Sequence, residues 1–179
     1  MIPAAKTKSP QLKRMIRDIP DFPKKGILFK DITPVLKDPK AFRFAVDAIA
    51  EQLKDKKIDY IVGIESRGFI FSPVLAYKLN AGFVPVRKIG KLPYKTHQVG
   101  YTLEYGEAVL EIRQDAIPAN ARVVIVDDFL ATGGTAFAAA KLVEKSGAKV
   151  ELIAFMIELL FLKGSEKLRP YNIFSVVQY

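Results

Sequence analysis

The segment Arg122-Val-Val-Ile-Val-Asp-Asp-Phe-Leu-Ala-Thr-Gly-Gly-Thr135 constrains this chain more than any other stretch. Val123 to Val126 are apolar without alternation, so a strand here must be covered on both faces, as in the middle of a parallel sheet. Two aspartates end it, and a Gly-Gly turn then opens an alanine-rich helix from Thr135 to Lys145. Glycines permit positive φ and close approach of a ligand to the backbone. The free N–H groups at the helix start, with the dipole behind them, favour a phosphate, and Thr132 and Thr135 add hydroxyl donors. Carboxylates do not bind phosphate. Asp127 and Asp128 therefore point to sugar hydroxyls or a hydrated Mg²⁺ attached to it. A sugar phosphate would use both halves at once, in the crevice outside the carboxyl ends of parallel strands. No Gly-Lys-Ser/Thr follows, and Gly-x-Gly-x-x-Gly is absent, so neither the Walker A loop nor the dinucleotide fingerprint applies. The plain alternative, a βα turn in which Gly-Gly is only turn chemistry, is disfavoured by the buried strand and the Asp-Asp ahead of it.

The rest of the chain supports an open parallel α/β sheet. Tyr60–Ile64, Phe83–Arg87, Arg122–Asp127, Lys149–Glu158 and Ile173–Val177 read as strands. The proline at 85 hints at a strand start or an edge position. Helices are predicted over Lys6–Arg17, Ala41–Leu53, Phe69–Leu79, Thr135–Lys145 and Lys163–Leu168. Gly26–Pro34 is apolar and partly extended, and its turn signals suggest a structured loop. Gly90–Gly106 is a polar, glycine-containing excursion, followed by Ala108–Arg113, which alternates as an exposed strand would. A long excursion inside a domain is uncommon unless functional, for example as a lid.

Composition removes several alternatives. The 179 residues suit one domain, and 50% hydrophobic with 26% charged residues is an ordinary soluble balance. There is no cysteine and one histidine, His97, which argues against disulfides, thiolate metal sites and a Ser-His-Asp triad. The longest apolar run, Val150–Leu162, is interrupted by Glu151 and Glu158, and no signal-peptide pattern follows Lys6 and Lys8, so a cytoplasmic enzyme is expected. A formal charge of +9 fits a polyanionic partner, either nucleic acid or a small polyphosphate.

Four segments flank the central unit: Phe22-Pro-Lys-Lys-Gly-Ile-Leu-Phe-Lys-Asp-Ile-Thr-Pro34, Glu65-Ser-Arg-Gly-Phe69, Arg87-Lys-Ile-Gly-Lys-Leu-Pro93 and Leu103-Glu-Tyr-Gly106. In this order they resemble the type I phosphoribosyltransferases, in particular the adenine-specific members, from about Ile19 to Tyr179. The resemblance implies an open, mainly parallel β-sheet flanked by helices, in one domain over 1–179. A small hood would be formed by about 1–35 and 158–179, and a flexible β-hairpin lid by about 92–113. It also implies transfer of the 5-phosphoribosyl group from phosphoribosyl pyrophosphate to N9 of adenine, giving AMP and pyrophosphate in purine salvage. Mg²⁺ would arrive on the substrate near Asp127 and Asp128, without direct protein ligands. A homodimer is implied, with neither nucleic acid nor membrane as partner.

Roles follow from the same resemblance. Ala131, Thr132, Gly133, Gly134 and Thr135 would hold the 5′-phosphate, and Asp127 and Asp128 would face the ribose hydroxyls. Ser66 and Arg67 would bind pyrophosphate, with Arg87, Lys88 and Lys91 adding positive charge and a cis peptide at Glu65–Ser66. Leu28, Phe29 and Lys30 would form the base pocket: backbone groups of Leu28 and Lys30 read the adenine edge and Phe29 stacks. Many relatives carry arginine where Lys30 stands. Glu104 would assist proton transfer from adenine on a closing loop, and Tyr105 would cover the pyrophosphate. His97, in the same excursion, is read as solvated surface.

Two rival readings differ in kind. A ligand-sensing regulator of the same fold could use the +9 charge on DNA, but the chain leaves no room for a separate DNA-reading module beyond the N-terminal helix. A transferase for a 6-oxopurine would need a donor toward that oxygen, whereas Glu158-Leu-Leu-Phe161 is apolar apart from Glu158 and suits an amino-purine.

Overall fold

Val123, Val124, Ile125 and Val126 are all 0% exposed, and they form the middle of a seven-stranded sheet. The computed structural model describes residues 10–102 and 107–179. In chain order its strands are β1 (Arg17–Pro20), β2 (Leu28–Asp31), β3 (Tyr60–Ile64), β4 (Gly82–Lys88), β5 (Thr96–Thr102), β6 (Glu107–Arg113), β7 (Arg122–Leu130), β8 (Lys149–Glu158) and β9 (Ile173–Gln178). The helices are α1 (Pro10–Met15), α2 (Thr33–Lys37), α3 (Pro39–Glu51), α4 (Gly68–Leu79), α5 (Gly134–Lys145) and α6 (Gly164–Lys167).

The sheet order is β5-β6-β4-β3-β7-β8-β9. β4, β3, β7, β8 and β9 run parallel, and the β5–β6 hairpin joins antiparallel through Arg87↔Glu111 and Lys88↔Leu110. Alternation along β7 divides the core in two. Val124 and Val126 pack with Ile49 of α3 and Phe71 and Leu75 of α4, while Val123 and Ile125 pack with Ala139, Leu142 and Val143 of α5. Each fully buried aliphatic side chain contributes about 1.5–3 kcal/mol, which explains the unbroken apolar run. This mainly parallel sheet with helices on both faces is the expected fold class.

Several elements depart from the sequence reading. β7 continues through both aspartates to Leu130, because β8 pairs with it as far as Leu130↔Glu158. α3 begins at Pro39, since the Asp38 carboxylate accepts from Lys40 N and Ala41 N at 2.9 and 2.8 Å and caps the helix. Part of the expected loop over 26–34 is strand β2, which pairs antiparallel with β1, and α2 starts at Thr33. The excursion contains β5. The six residues from Ala108 to Arg113 are not an exposed strand, because Leu110, Glu111 and Ile112 are buried. Pro85 lies inside β4, but Glu65 N donates to Val86 O, so alternation turns Pro85 away from β3 toward a stretch that β6 leaves unpaired. Of the predicted helix Lys6–Arg17, the described part is α1, and Arg17 already belongs to β1.

The terminal segments meet beside β2. Lys13 Nζ donates to Gln178 O at 2.6 Å and Tyr179 Oη donates to Lys13 O at 3.0 Å. β9, within 158–179, is the last strand of the main sheet.

Gly63 sets how closely α4 lies on β3. A Cβ there would sit 2.1 Å from Ser72 Oγ and 2.9 Å from the Phe83 ring, and Ser72 Oγ is committed to Gly68 O at 2.7 Å. We expect Gly63→Ala to cost about 1–3 kcal/mol by overpacking, read as a lower urea midpoint at unchanged slope; wild-type stability would contradict this packing.

Candidate active site

β7 delivers Asp127 and Asp128 to the carboxyl end of the sheet at 8% and 4% exposure. Asp128 N donates to Asp127 Oδ1 at 2.8 Å. Burial, and then the neighbouring Asp128 charge, pushes the Asp127 carboxyl well above the usual range. Burial also raises Asp128, against the lowering effect of Arg67. Asp128 Oδ2 faces the Arg67 guanidinium in an ion pair yet accepts no hydrogen bond among the described residues. An acidic pair held so far from water is poised to take a hydroxyl donor or a cation.

The turn after β7 is built on backbone contact. Gly133 adopts φ +80 just before α5, where a left-handed conformation favours glycine. A Cβ on Gly133 would lie 2.5 Å from Gly164 O, and one on Gly164 would lie 2.1 Å from Ala131 O. The start of α6 therefore buttresses the turn. Gly133 and Gly134 are buried, Ala131 and Thr135 half-buried, and Thr132 exposed at the α5 N-terminus.

Ser66 and Arg67, both exposed, enter α4 from the end of β3, and the Glu65–Ser66 peptide is cis, as the resemblance implies. Gly68 presses this loop against β7, since a Cβ there would stand 2.7 Å from Val126 O and 3.2 Å from Asp127 Oδ1. Arg87 and Lys88 end β4, and Lys91 follows a turn through Gly90. Glu65 gathers two of these cations and the backbone of the third: it accepts from Arg87 Nε and Nη2 at 3.2 Å each, from Lys91 Nζ at 2.6 Å and from the Lys88 backbone N at 3.2 Å. Burial alone would raise this carboxyl, but the Arg87 and Lys91 hydrogen bonds outweigh it and lower it to about 2. Glu65 is therefore anionic wherever the chain is folded near neutrality, and its pairs are lost only as pH falls toward that value.

On β2, Phe29 stacks with Phe129 at 6.3 Å between centroids and meets Phe22 edge-on at 5.1 Å. The Arg67 guanidinium lies 5.7 Å from the Phe29 ring and 5.3 Å from the Phe129 ring. Leu28 is exposed at 52%. Lys30 is not directed to this slot: its ammonium pairs with Asp18 at 2.6 Å and lies 4.0 Å over the Tyr179 ring. Ile27 O accepts from Phe22 N, so alternation turns the backbone groups of Leu28 and Lys30 to the outer edge of β2.

The structure thus brings together Phe29, Arg67, Asp127 and Asp128, and separately Arg87, Lys88 and Lys91 around Glu65. Glu104 and Tyr105 lie outside the described residues. His97 is half-buried on β5, opposite Ile112. Four contributors escaped the sequence reading. Glu65 had no role beyond its place in the Glu65–Phe69 segment, and Glu111 lay in a stretch, Ala108–Arg113, that reads as an exposed strand. Phe129 lay beyond the expected end of its strand, Arg122–Asp127, and Gly164 gave no signal beyond a glycine opening a short helix.

Residues 35–178 match the family model for the phosphoribosyl transferase domain. The chain is 54% identical over 169 residues to an adenine phosphoribosyltransferase of Christiangramia forsetii, covering 94% of this chain and 99% of that protein. The crystal structure of adenine phosphoribosyltransferase from Thermoanaerobacter pseudethanolicus is 56% identical and superposes with a TM-score of 0.90, covering 94% of this chain and 98% of that one. A Saccharomyces cerevisiae adenine phosphoribosyltransferase, complexed with an imino-altritol bisphosphate and adenine, is 47% identical with a TM-score of 0.89, over 92% and 96% of the two chains.

The raised Asp127 carboxyl has a consequence for stability. The folded chain holds a proton that the unfolded chain releases, so stability falls as pH rises above the unfolded carboxylate range, about 3.9. Asp127→Asn keeps an acceptor for Asp128 N and removes the buried charge. Its melting temperature should exceed that of the wild type at neutral pH, each kcal/mol appearing as about 2–4 °C, with the gap closing in acid and turnover lost. A lower melting temperature at neutral pH would show the carboxylate to be stabilising.

Proposed function

The chain belongs to the adenine phosphoribosyltransferase family, and on that premise we propose how its own residues carry the reaction. It transfers the 5-phosphoribosyl group from phosphoribosyl pyrophosphate to N9 of adenine, releasing AMP and pyrophosphate. The C1′–N9 bond forms, the C1′–O bond to pyrophosphate breaks, and the N9 proton leaves. Positive charge develops on the sugar and negative charge on the leaving group, so positioning and electrostatics carry the rate.

The observation that carries this assignment is the position of Arg67, which contacts Asp128 and both rings of the Phe29–Phe129 pair. Base, ribose and pyrophosphate segments lie within reach of one side chain. The rim Ala131–Thr135 holds the 5′-phosphate through N–H groups and threonine hydroxyls. Asp127 and Asp128 accept from the ribose hydroxyls; their oxygen donor set, their burial and the unbonded Asp128 Oδ2 suit Mg²⁺ carried on the substrate. That ion, when bound, offsets charge on the pyrophosphate. Ser66, Arg67, Arg87, Lys88 and Lys91 receive the leaving group. Adenine stacks on Phe29 and is read by the backbone edge of Leu28 and Lys30, for which an arginine at 30 is not needed. Glu104 takes the N9 proton and Tyr105 closes over the pyrophosphate, on a lid spanning about 92–113; the hood comprises about 1–35 and 158–179 of a single domain. We place the enzyme in the cytoplasm, acting in purine salvage.

A base screen with phosphoribosyl pyrophosphate and Mg²⁺, following pyrophosphate release, tests the substrate: adenine should turn over, and hypoxanthine or guanine should not. Glu104→Gln should lose about 10²–10⁴-fold in kcat, the range of general acid–base assistance, while still binding phosphoribosyl pyrophosphate. Unchanged turnover would remove Glu104 from the chemistry.

A homodimer is the proposed state. Val74 and Tyr77, one turn apart on α4, are 40% and 91% exposed and offer apolar surface for a second copy. Light scattering should return twice the 20.0 kDa chain mass; a monomeric mass at assay concentration would contradict it.

A further inference from the structure

Glu111 is 2% exposed, although Leu110 and Ile112 on either side point into the α5 core and alternation turns Glu111 to the other face. Its cover is the chain that leaves β4. Lys91 N and Leu92 N both donate to Glu111 Oε1 at 2.9 Å, and Thr96 Oγ1 donates to Oε2 at 3.2 Å. Register places Glu111 opposite Arg87 of β4 and Gln98 of β5, so one carboxylate stands where three segments converge. A buried carboxylate is tolerated when its lone pairs are met by donors, and bonds to an ionised acceptor are stronger than neutral ones.

What those bonds fix is the turn through Gly90, at φ +81, that presents Lys91. Lys91 O accepts from Arg87 Nη1 at 3.1 Å, and Lys91 Nζ reaches Glu65 Oε1 at 2.6 Å. Glu65 thus holds the ammonium head of Lys91, and Glu111 holds its backbone. The head is exchangeable, because the Lys91 side chain is itself 48% exposed; the backbone anchor is not, because Glu111 is buried under the turn.

We propose that Glu111 is a positioning residue for the pyrophosphate leaving group, acting through Lys91. By clamping the backbone of residues 91 and 92 it lets the Lys91 ammonium pass from Glu65 to a phosphate oxygen without moving the turn. Glu111 itself touches no substrate. The inference rests on the assignment of Lys91 to pyrophosphate.

The test combines calorimetry of pyrophosphate with Mg²⁺ and steady-state kinetics on wild type, Lys91→Ala, Glu111→Ala and the double variant. Glu111→Ala should raise the pyrophosphate Kd and the KM for phosphoribosyl pyrophosphate about tenfold, the size of one lost charge-assisted contact. The KM for adenine and kcat at saturation should stay within about threefold, and the double variant should be no worse than Lys91→Ala, as for residues acting as one unit. Glu111→Gln keeps an acceptor at Oε1 and should restore most of the affinity. If Glu111→Ala does not fold, Glu111→Gln carries the test alone: its smaller rise must vanish in the Lys91→Ala background. Additive losses in the double variant, or an equal loss of adenine binding, would overturn the proposal. So would pyrophosphate affinity weakened by Lys91→Ala but not by Glu111→Ala. Equal binding by wild type and Lys91→Ala would instead defeat the assignment of Lys91, and the inference with it.

Discussion

Asp127 and Asp128 are buried side by side at the end of an apolar strand, and the arrangement of the cleft answers to that placement. Two adjacent carboxyls in low dielectric cannot both ionise freely. One keeps its proton or a cation approaches, and Arg67 is the cation at hand. Gly68 allows the approach, because any larger residue would strike β7. The loop that carries Arg67 is thereby fixed relative to the turn that carries the phosphate rim. The two flanking βα units of the sheet, one on each face, meet at this acidic pair.

A second centre of charge lies at the other edge of the cleft. The charges of Arg87 and Lys91 would repel one another if left alone, and the Glu65 carboxylate pairs with both while also accepting from the backbone N–H of Lys88. The large surplus of basic residues in the chain is therefore not spread evenly in effect. Some of it is gathered at this edge by Glu65, while other lysines, such as Lys13 and Lys30, lie over the Tyr179 ring. Lys30 illustrates the division: a cation beside the proposed base slot is drawn to Asp18 and the Tyr179 ring, and that slot is left to aromatic faces and backbone groups.

The order of the parallel strands, the phosphate turn and its helix could be read from the sequence, because each rests on local periodicity and glycine placement. Val123 to Val126 without alternation states burial on both faces, and Gly133-Gly134 states the turn. β2 was harder. Its four residues, Leu28–Asp31, sit among prolines and turn signals, and their pairing with β1 is a tertiary fact. The Asp38 cap of α3 is a local signal that hydrophobic periodicity alone passes over.

The sequence by itself determined that this chain would set an acidic pair and a glycine turn together at the carboxyl end of a parallel sheet, because strand, turn and helix are neighbours along the chain. The tertiary structure decided which side chains hold that cleft in shape. Glu65 meets Lys91 across 26 residues of chain, Glu111 meets Lys91 across 20, and Gly164 meets the phosphate turn from beyond β8. Nothing local marks such residues. On β6, Glu111 has the spacing of a solvated residue, and it becomes a buried anchor because the chain leaving β4 folds over it.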